Sequence, residues 1–64
     1  MEPSKIVRLR DVCALTGLSA STIYRLEKAD RFPGRRQLST NSVGWLRSEV
    51  DDWIASRPHL RRAG

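Results

Sequence analysis

Sulfur and imidazole are nearly missing from this 64-residue chain, which has one cysteine, Cys13, and one histidine, His59. A single cysteine forms no internal disulfide, and the pair falls short of the ligands of a structural zinc site. Cys13 therefore reads as a small apolar residue in a close-packed helix pair. His59 sits near the C-terminus, where no nucleophile, base and orienting group can be assembled around it. Asp51 and Asp52 are helix neighbours that point in different directions, so they form no acid–base pair. A chain this short also has no room for a deep pocket, so neither an enzyme nor a bound cofactor or metal is expected. Aromatic residues make up 6% of the sequence. That is too few for an array of strand-borne rings stacking unpaired bases, which places RNA below duplex DNA as a partner. There is no hydrophobic run long enough to span a bilayer and no apolar segment behind Met1 that would act as a signal peptide, so a cytoplasmic protein with no membrane partner is expected. Acid is in the minority. Twelve Lys and Arg against seven Asp and Glu give a net charge of +5, which favours an anionic partner, and nucleic acid leads.

The stretch from Thr16 to Leu26 carries the most information. Gly17 marks the end of a first helix, because glycine adopts the left-handed conformation that reverses the chain at low cost. Ser19 is a helix-capping residue and Ala20 a strong helix former, so a second helix runs from Ala20 to about Ala29 or Asp30. Val12 and Leu15 in the first helix, and Ile23 and Leu26 in the second, are spaced to face one another, with Leu18 filling the corner. Ser21, Thr22, Arg25 and Lys28 then point outward. Positions 21, 25 and 28 fall on one face, with Thr22 beside them near the helix N-terminus, where a recognition helix presents its base-reading side chains.

In chain order, residues 1–5 show no periodicity and read as a disordered N-terminus. Ile6 to Leu9 suits a strand of about four residues lying against a later hairpin, or an extended lead-in. The first helix starts near Arg10 or Asp11 and ends at Thr16. Glu27 and Arg31 form an i, i+4 pair in the second helix. Phe32-Pro33-Gly34 stops that helix, since the residue before proline avoids helical angles. Arg35 to Leu38, a Ser39-Thr40-Asn41 turn, and Ser42 to Leu46 read as a hairpin, with Leu38 and Val43 as candidates for its core-facing side. The last helix begins at Arg47 or Ser48 and runs to about Ser56. Ser48 and Asp51 have capping-box spacing, and Val50, Trp53 and Ile54 form an apolar stripe. Residues 58–64 form a basic tail, for which a solubilising role and DNA contact by Arg61 and Arg62 stand side by side. The pattern as a whole predicts a mainly α fold of three helices with a small β-hairpin wing, a single domain over residues 6–57.

Thr16-Gly17-Leu18-Ser19, Ser21 to Leu26, Phe32-Pro33, Ser42-Val43-Gly44-Trp45 and Ser48 to Ile54, in that order, resemble the AlpA-type small regulators of prophages and integrated elements. These belong with excisionases and the DNA-binding domains of MerR-type proteins. The resemblance spans roughly Leu9 to Arg57 and implies a MerR-like winged helix-turn-helix that binds double-stranded DNA sequence-specifically. It also implies a role in transcription control or in directing the excision of a mobile element. The wing tip Ser39-Thr40-Asn41 lacks the glycines or basic residues often found there in relatives.

Under this reading Arg25 donates a bidentate pair to guanine, Ser21 or Thr22 contacts a base or phosphate, and Ser19 with the helix N-terminus holds the backbone. Lys28 finds phosphate, and Arg35 and Arg36, followed by Gln37, grip the flanking backbone or enter the minor groove. Tyr24 either covers the core edge or also reaches a phosphate. Trp45 either supports the wing or, with Phe32 and the acidic start of the last helix, forms a docking surface for a recombinase or RNA polymerase; that adaptor role is the alternative function. MerR-type dimers use a long helix after the DNA-binding domain. The chain stops at Gly64 without one, so a monomer is expected, occupying repeated sites cooperatively.

Overall fold

The computed structural model describes residues 5–58. Met1 to Ser4, most of the expected N-terminal disorder, and the tail residues His59 to Gly64 with Arg61 and Arg62, lie outside the described residues. The elements run β1 (Ile6–Val7), α1 (Leu9–Thr16), α2 (Ala20–Lys28), β2 (Arg36–Ser39), β3 (Ser42–Leu46) and α3 (Arg47–Ala55). Three helices and a small antiparallel sheet make the winged helix-turn-helix that the sequence pattern predicts.

The α1–α2 turn follows from local chemistry. Gly17 has φ 77°, its N–H donates to the Cys13 carbonyl at 2.8 Å, and the Thr16 hydroxyl links the Val12 carbonyl to the Leu18 N–H. Ser19 caps α2, its hydroxyl accepting the Thr22 N–H at 3.3 Å. At the other end of α1 the helix starts at Leu9, one residue before the expected Arg10. The reason is that the Asp11 carboxylate accepts the Arg8 N–H at 3.3 Å and caps the turn there.

The end of α2 differs from the sequence reading in its cause. The helix closes at Lys28, before the Phe32-Pro33-Gly34 stop is reached. The Asp30 N–H bonds to the Glu27 carbonyl and the Arg31 N–H to the Leu26 carbonyl at 2.8 Å, with Asp30 at φ 65°. This is a Schellman closure with an aspartate in the left-handed position usually held by glycine. The expected Glu27–Arg31 pair is replaced, because Arg31 follows that left-handed residue and Glu27 pairs with Arg35.

The sheet has the order β1-β3-β2 with both pairings antiparallel. β1 does lie against the hairpin, through Ile6 opposite Leu46 and Val7 opposite Trp45, but it is two residues long because Arg8 already caps α1. In β2 against β3, Arg36 faces Gly44, Gln37 faces Val43 and Ser39 faces Ser42, leaving Leu38 as the extra residue of a bulge. The turn shortens to Thr40-Asn41.

Leu38 and Val43 do not face the core; both are exposed, at 41% and 39%. Val43 shares a face with Trp45, but the helices cover the Trp45 end and stop short of it. Leu38 lies on the opposite face, beside Ile6 over Gly44.

The core consists of Val7, Val12, Ile23, Phe32, Trp45 and Val50, with Leu9, Cys13, Leu15, Leu18, Leu26, Trp53 and Ile54 packed around it. Complete burial of side chains such as Ile23 and Val50 is worth about 1.5–3 kcal/mol each. Trp45, the largest of the fully buried side chains, donates its indole N–H to the Pro33 carbonyl at 3.0 Å. It thereby fastens the hairpin to the loop after α2. Trp53, half-buried, makes the equivalent bond to the Arg31 carbonyl at 2.7 Å and meets the Phe32 ring edge-on at 4.8 Å. In α3 the cap residue is Leu46, so Ser48 lies inside the first turn and the Ser48–Asp51 capping box does not form. Asp51 pairs instead with Arg47 at 3.3 Å.

Candidate nucleic-acid interface

α2 buries Ile23 and turns the residues of its other side outward. Ser21, Tyr24, Arg25 and Lys28 are exposed, and Thr22 is half-buried near the capped end. Ser19, Ser21 and Thr22 form one hydroxyl cluster, with the Ser19 Oγ 3.0 Å from the Thr22 Oγ1 and 3.3 Å from the Ser21 Oγ. Arg25 and Lys28 enter no ion pair among the described residues. The exposed side of α2 thus carries three hydroxyls at its N-terminal end and two uncompensated cations in its last turn, an arrangement suited to an extended anion.

The wing residues are placed differently. Arg35 sits beside α2, with its guanidinium carbon 4.9 Å from the centre of the Tyr24 ring and its Nε 3.3 Å from Glu27 Oε1. The fold thus brings Tyr24, Lys28 and Arg35 to one edge of the recognition helix, where with Glu27 they line an open cleft. Arg36 points elsewhere, its Nη2 bonding Glu49 Oε2 of α3 at 3.0 Å. It therefore braces the hairpin against α3 and does not join the Arg35 group. Gln37 is exposed and pairs with Val43 across the ladder.

Trp45 has no exposed surface and Phe32 is 6% exposed. Both are taken up by the core, so of the two roles left open for Trp45 the structure bears out support of the wing, and neither ring is available to the alternative docking surface. Glu27, not singled out from the sequence as a site residue, proves central to the arrangement of Arg35. Its one sequence signal is an acid in the last turn of a helix, against the dipole. Among the described residues no group of three metal-ligating side chains occurs, and no helix is long and apolar enough to cross a membrane.

Residues 5–58 match the family described as Prophage CP4-57 regulatory protein (AlpA). The chain belongs to the AlpA family. It is 39% identical over 62 residues to the DNA-binding transcriptional activator AlpA of Escherichia coli K12, a match covering 88% of this chain and 89% of that protein. It is also 42% identical over 60 residues to the uncharacterized protein ORF88 of Enterobacteria phage P4, covering 94% of this chain and 68% of that one. No solved structure matches. The AlpA-family match takes in every element of the fold, from β1 through α3, and with them each residue of the exposed α2 face and of the wing.

Proposed function

We propose that this AlpA-family protein is a regulator of prophage or mobile-element transcription that acts in the cytoplasm by binding double-stranded DNA sequence-specifically. The observation that carries the reading is the outward face of α2, where the Ser19, Ser21 and Thr22 hydroxyls at the N-terminal end are followed in the last turn by Arg25 and Lys28, which enter no ion pair among the described residues. The name of the E. coli relative, a DNA-binding transcriptional activator, supports it. An α-helix fits the major groove, and a guanidinium there forms a bidentate pair with the O6 and N7 of guanine. Arg25, in the middle of the exposed face, takes that role. The N-terminal hydroxyls and Lys28 hold the phosphates on either side, and Arg35 extends the backbone contact toward the wing. Arg36, tied to Glu49 through Nη2 alone, contributes to the same backbone contact by sharing or giving up that bond.

Selection of bound duplexes from a random pool, followed by titration of the selected duplex and a scrambled control at two salt concentrations, tests the reading. A motif should emerge that binds about a thousandfold or more tighter than the control, with a salt dependence that counts several phosphate contacts. Weak binding blind to sequence would refute it.

A further inference from the structure

Glu27 is the penultimate residue of α2, where a carboxylate meets the negative end of the helix dipole. Its side chain is nonetheless only 16% exposed, and it grips Arg35 twice: Oε2 accepts the Arg35 backbone N–H at 2.6 Å and Oε1 lies 3.3 Å from Nε. Both bonds approach the arginine from its stem side. The Nη edge of the guanidinium is left without an ion pair among the described residues, on a side chain that is 44% exposed. Tyr24 supports the guanidinium, and Lys28 lines the same cleft, an open volume of about 480 Å³. A guanidinium held at its Nε with its Nη groups free of an ion pair, and a lysine lining the same cleft, suit the oxygens of a phosphate group.

Resting on the DNA reading above, we propose that this cleft seats one backbone phosphate between the recognition helix and the wing, and that Glu27 is the positioning residue that holds Arg35 open toward it. Simple charge addition makes the opposite prediction for Glu27. Neutralising one carboxylate raises the net charge above +5, which by itself tightens binding to a polyanion. Loss of positioning weakens it, so the direction of the change decides between them.

The test is an anisotropy titration of a short fluorescein-labelled duplex of random sequence, since a phosphate contact is blind to sequence, at salt concentrations between about 50 and 200 mM. Glu27→Ala should weaken binding about threefold or more and make the salt dependence shallower by about one phosphate contact. Glu27→Gln keeps one of the two acceptors but turns an NH2 toward the other Arg35 donor, so its affinity should fall between those of wild type and Glu27→Ala. In an Arg35→Ala background, Glu27→Ala should weaken binding no further. Folded Glu27→Ala protein that binds as tightly as wild type or tighter, with an unchanged salt slope, overturns the proposal. If Glu27→Ala fails to fold, Arg35→Lys carries the test: it keeps the charge but lacks the Nε and the fork, and wild-type affinity in that variant overturns the proposal equally. Absence of binding by the wild-type protein at the lowest salt removes the DNA reading, and this site with it, whereas wild-type binding with an indifferent Glu27→Ala removes this site alone.

Discussion

Replacing Gly44 with alanine should destabilise the fold more than its size suggests. A Cβ at this position would lie 2.8 Å from Ile6 Cγ2, 3.0 Å from the Val7 carbonyl oxygen and 3.1 Å from Leu38 Cδ1. Leu38 can swing its methyl away, since it is on the exposed face of β2. Ile6 cannot do so readily, because Cγ2 is attached to a branched Cβ with one preferred rotamer, and the Val7 oxygen is backbone. Overpacking of this kind costs about 1–3 kcal/mol. Alanine recovers about 0.5 kcal/mol of chain entropy relative to glycine, leaving a net loss of roughly 0.5–2.5 kcal/mol. A domain of this length is stable by about 3–10 kcal/mol in total, and 1 kcal/mol shifts the melting temperature by about 4–8 °C. The Gly44→Ala midpoint should therefore fall by roughly 2–20 °C in a circular-dichroism melt. Gly34→Ala is the control, since a Cβ there has no neighbour within 4 Å. A Gly44→Ala protein melting within about 2 °C of wild type would refute the reasoning, and with it the reading that β1 and Leu38 close over this residue.

Other substitutions test separate parts of the molecule. Ser19→Ala removes the acceptor of the Thr22 N–H and should cost about 1 kcal/mol in urea unfolding; a smaller loss, near that of an ordinary surface change, would show the cap to be dispensable. Asp30→Gly places the preferred residue in a left-handed position at φ 65° and removes an anion from a helix C-terminus. It should raise stability by roughly 0.5–1 kcal/mol in the same assay. Arg25→Ala should lower the preference for the selected duplex over its scrambled control by about 1–3 kcal/mol; equal weakening on both duplexes would place Arg25 on phosphate alone.

The parts of this fold legible from sequence are those fixed by neighbours in the chain. Gly17 needs only its own backbone angles, Ser19 only the N–H three residues on, and the Val12, Ile23 and Val50 positions only helical periodicity. The hairpin was legible as an element but not in its inside and outside. Alternation places Val43 with Trp45 correctly, yet cannot tell that the helices end before Val43, and the bulge at Leu38 has no local signature. The caps at the starts of α1 and α3 were not legible for a related reason. Asp11 reaches back to Arg8, and Leu46 begins α3 straight from the strand with Arg47 bonded to the Lys5 carbonyl at 2.7 Å. That last contact joins residues far apart in sequence. Pairing of Glu27 with Arg35 instead of Arg31 likewise depends on the left-handed turn at Asp30, which diverts the chain before Arg31 can follow the helical spacing. The buried state of Trp45 and Phe32 depends on the whole core closing at once.

This division between local and distant determinants bears on how the positive charge is used. Arg35, Arg36 and Arg47 are each matched by an acid, Glu27, Glu49 and Asp51 respectively, at 3.0–3.3 Å. Such exposed pairs contribute at most about 1 kcal/mol apiece to stability. Two of them join different elements, α2 to the lead-in of β2 and β2 to α3, so their effect is mainly geometric: they fix the direction of the hairpin relative to the recognition helix. Arg25 and Lys28 have no such restraint. A basic residue that is already paired must give up its partner or share it to meet a phosphate, whereas an unpaired one gives up only water. Under the DNA reading, the helix would therefore supply the charge that is free for a partner, and the wing charge that is aimed. If α2 and the wing meet DNA as proposed, affinity comes from the unpaired cations of α2 and register from Glu27 and Glu49, the two acids that tie the hairpin to α2 and α3.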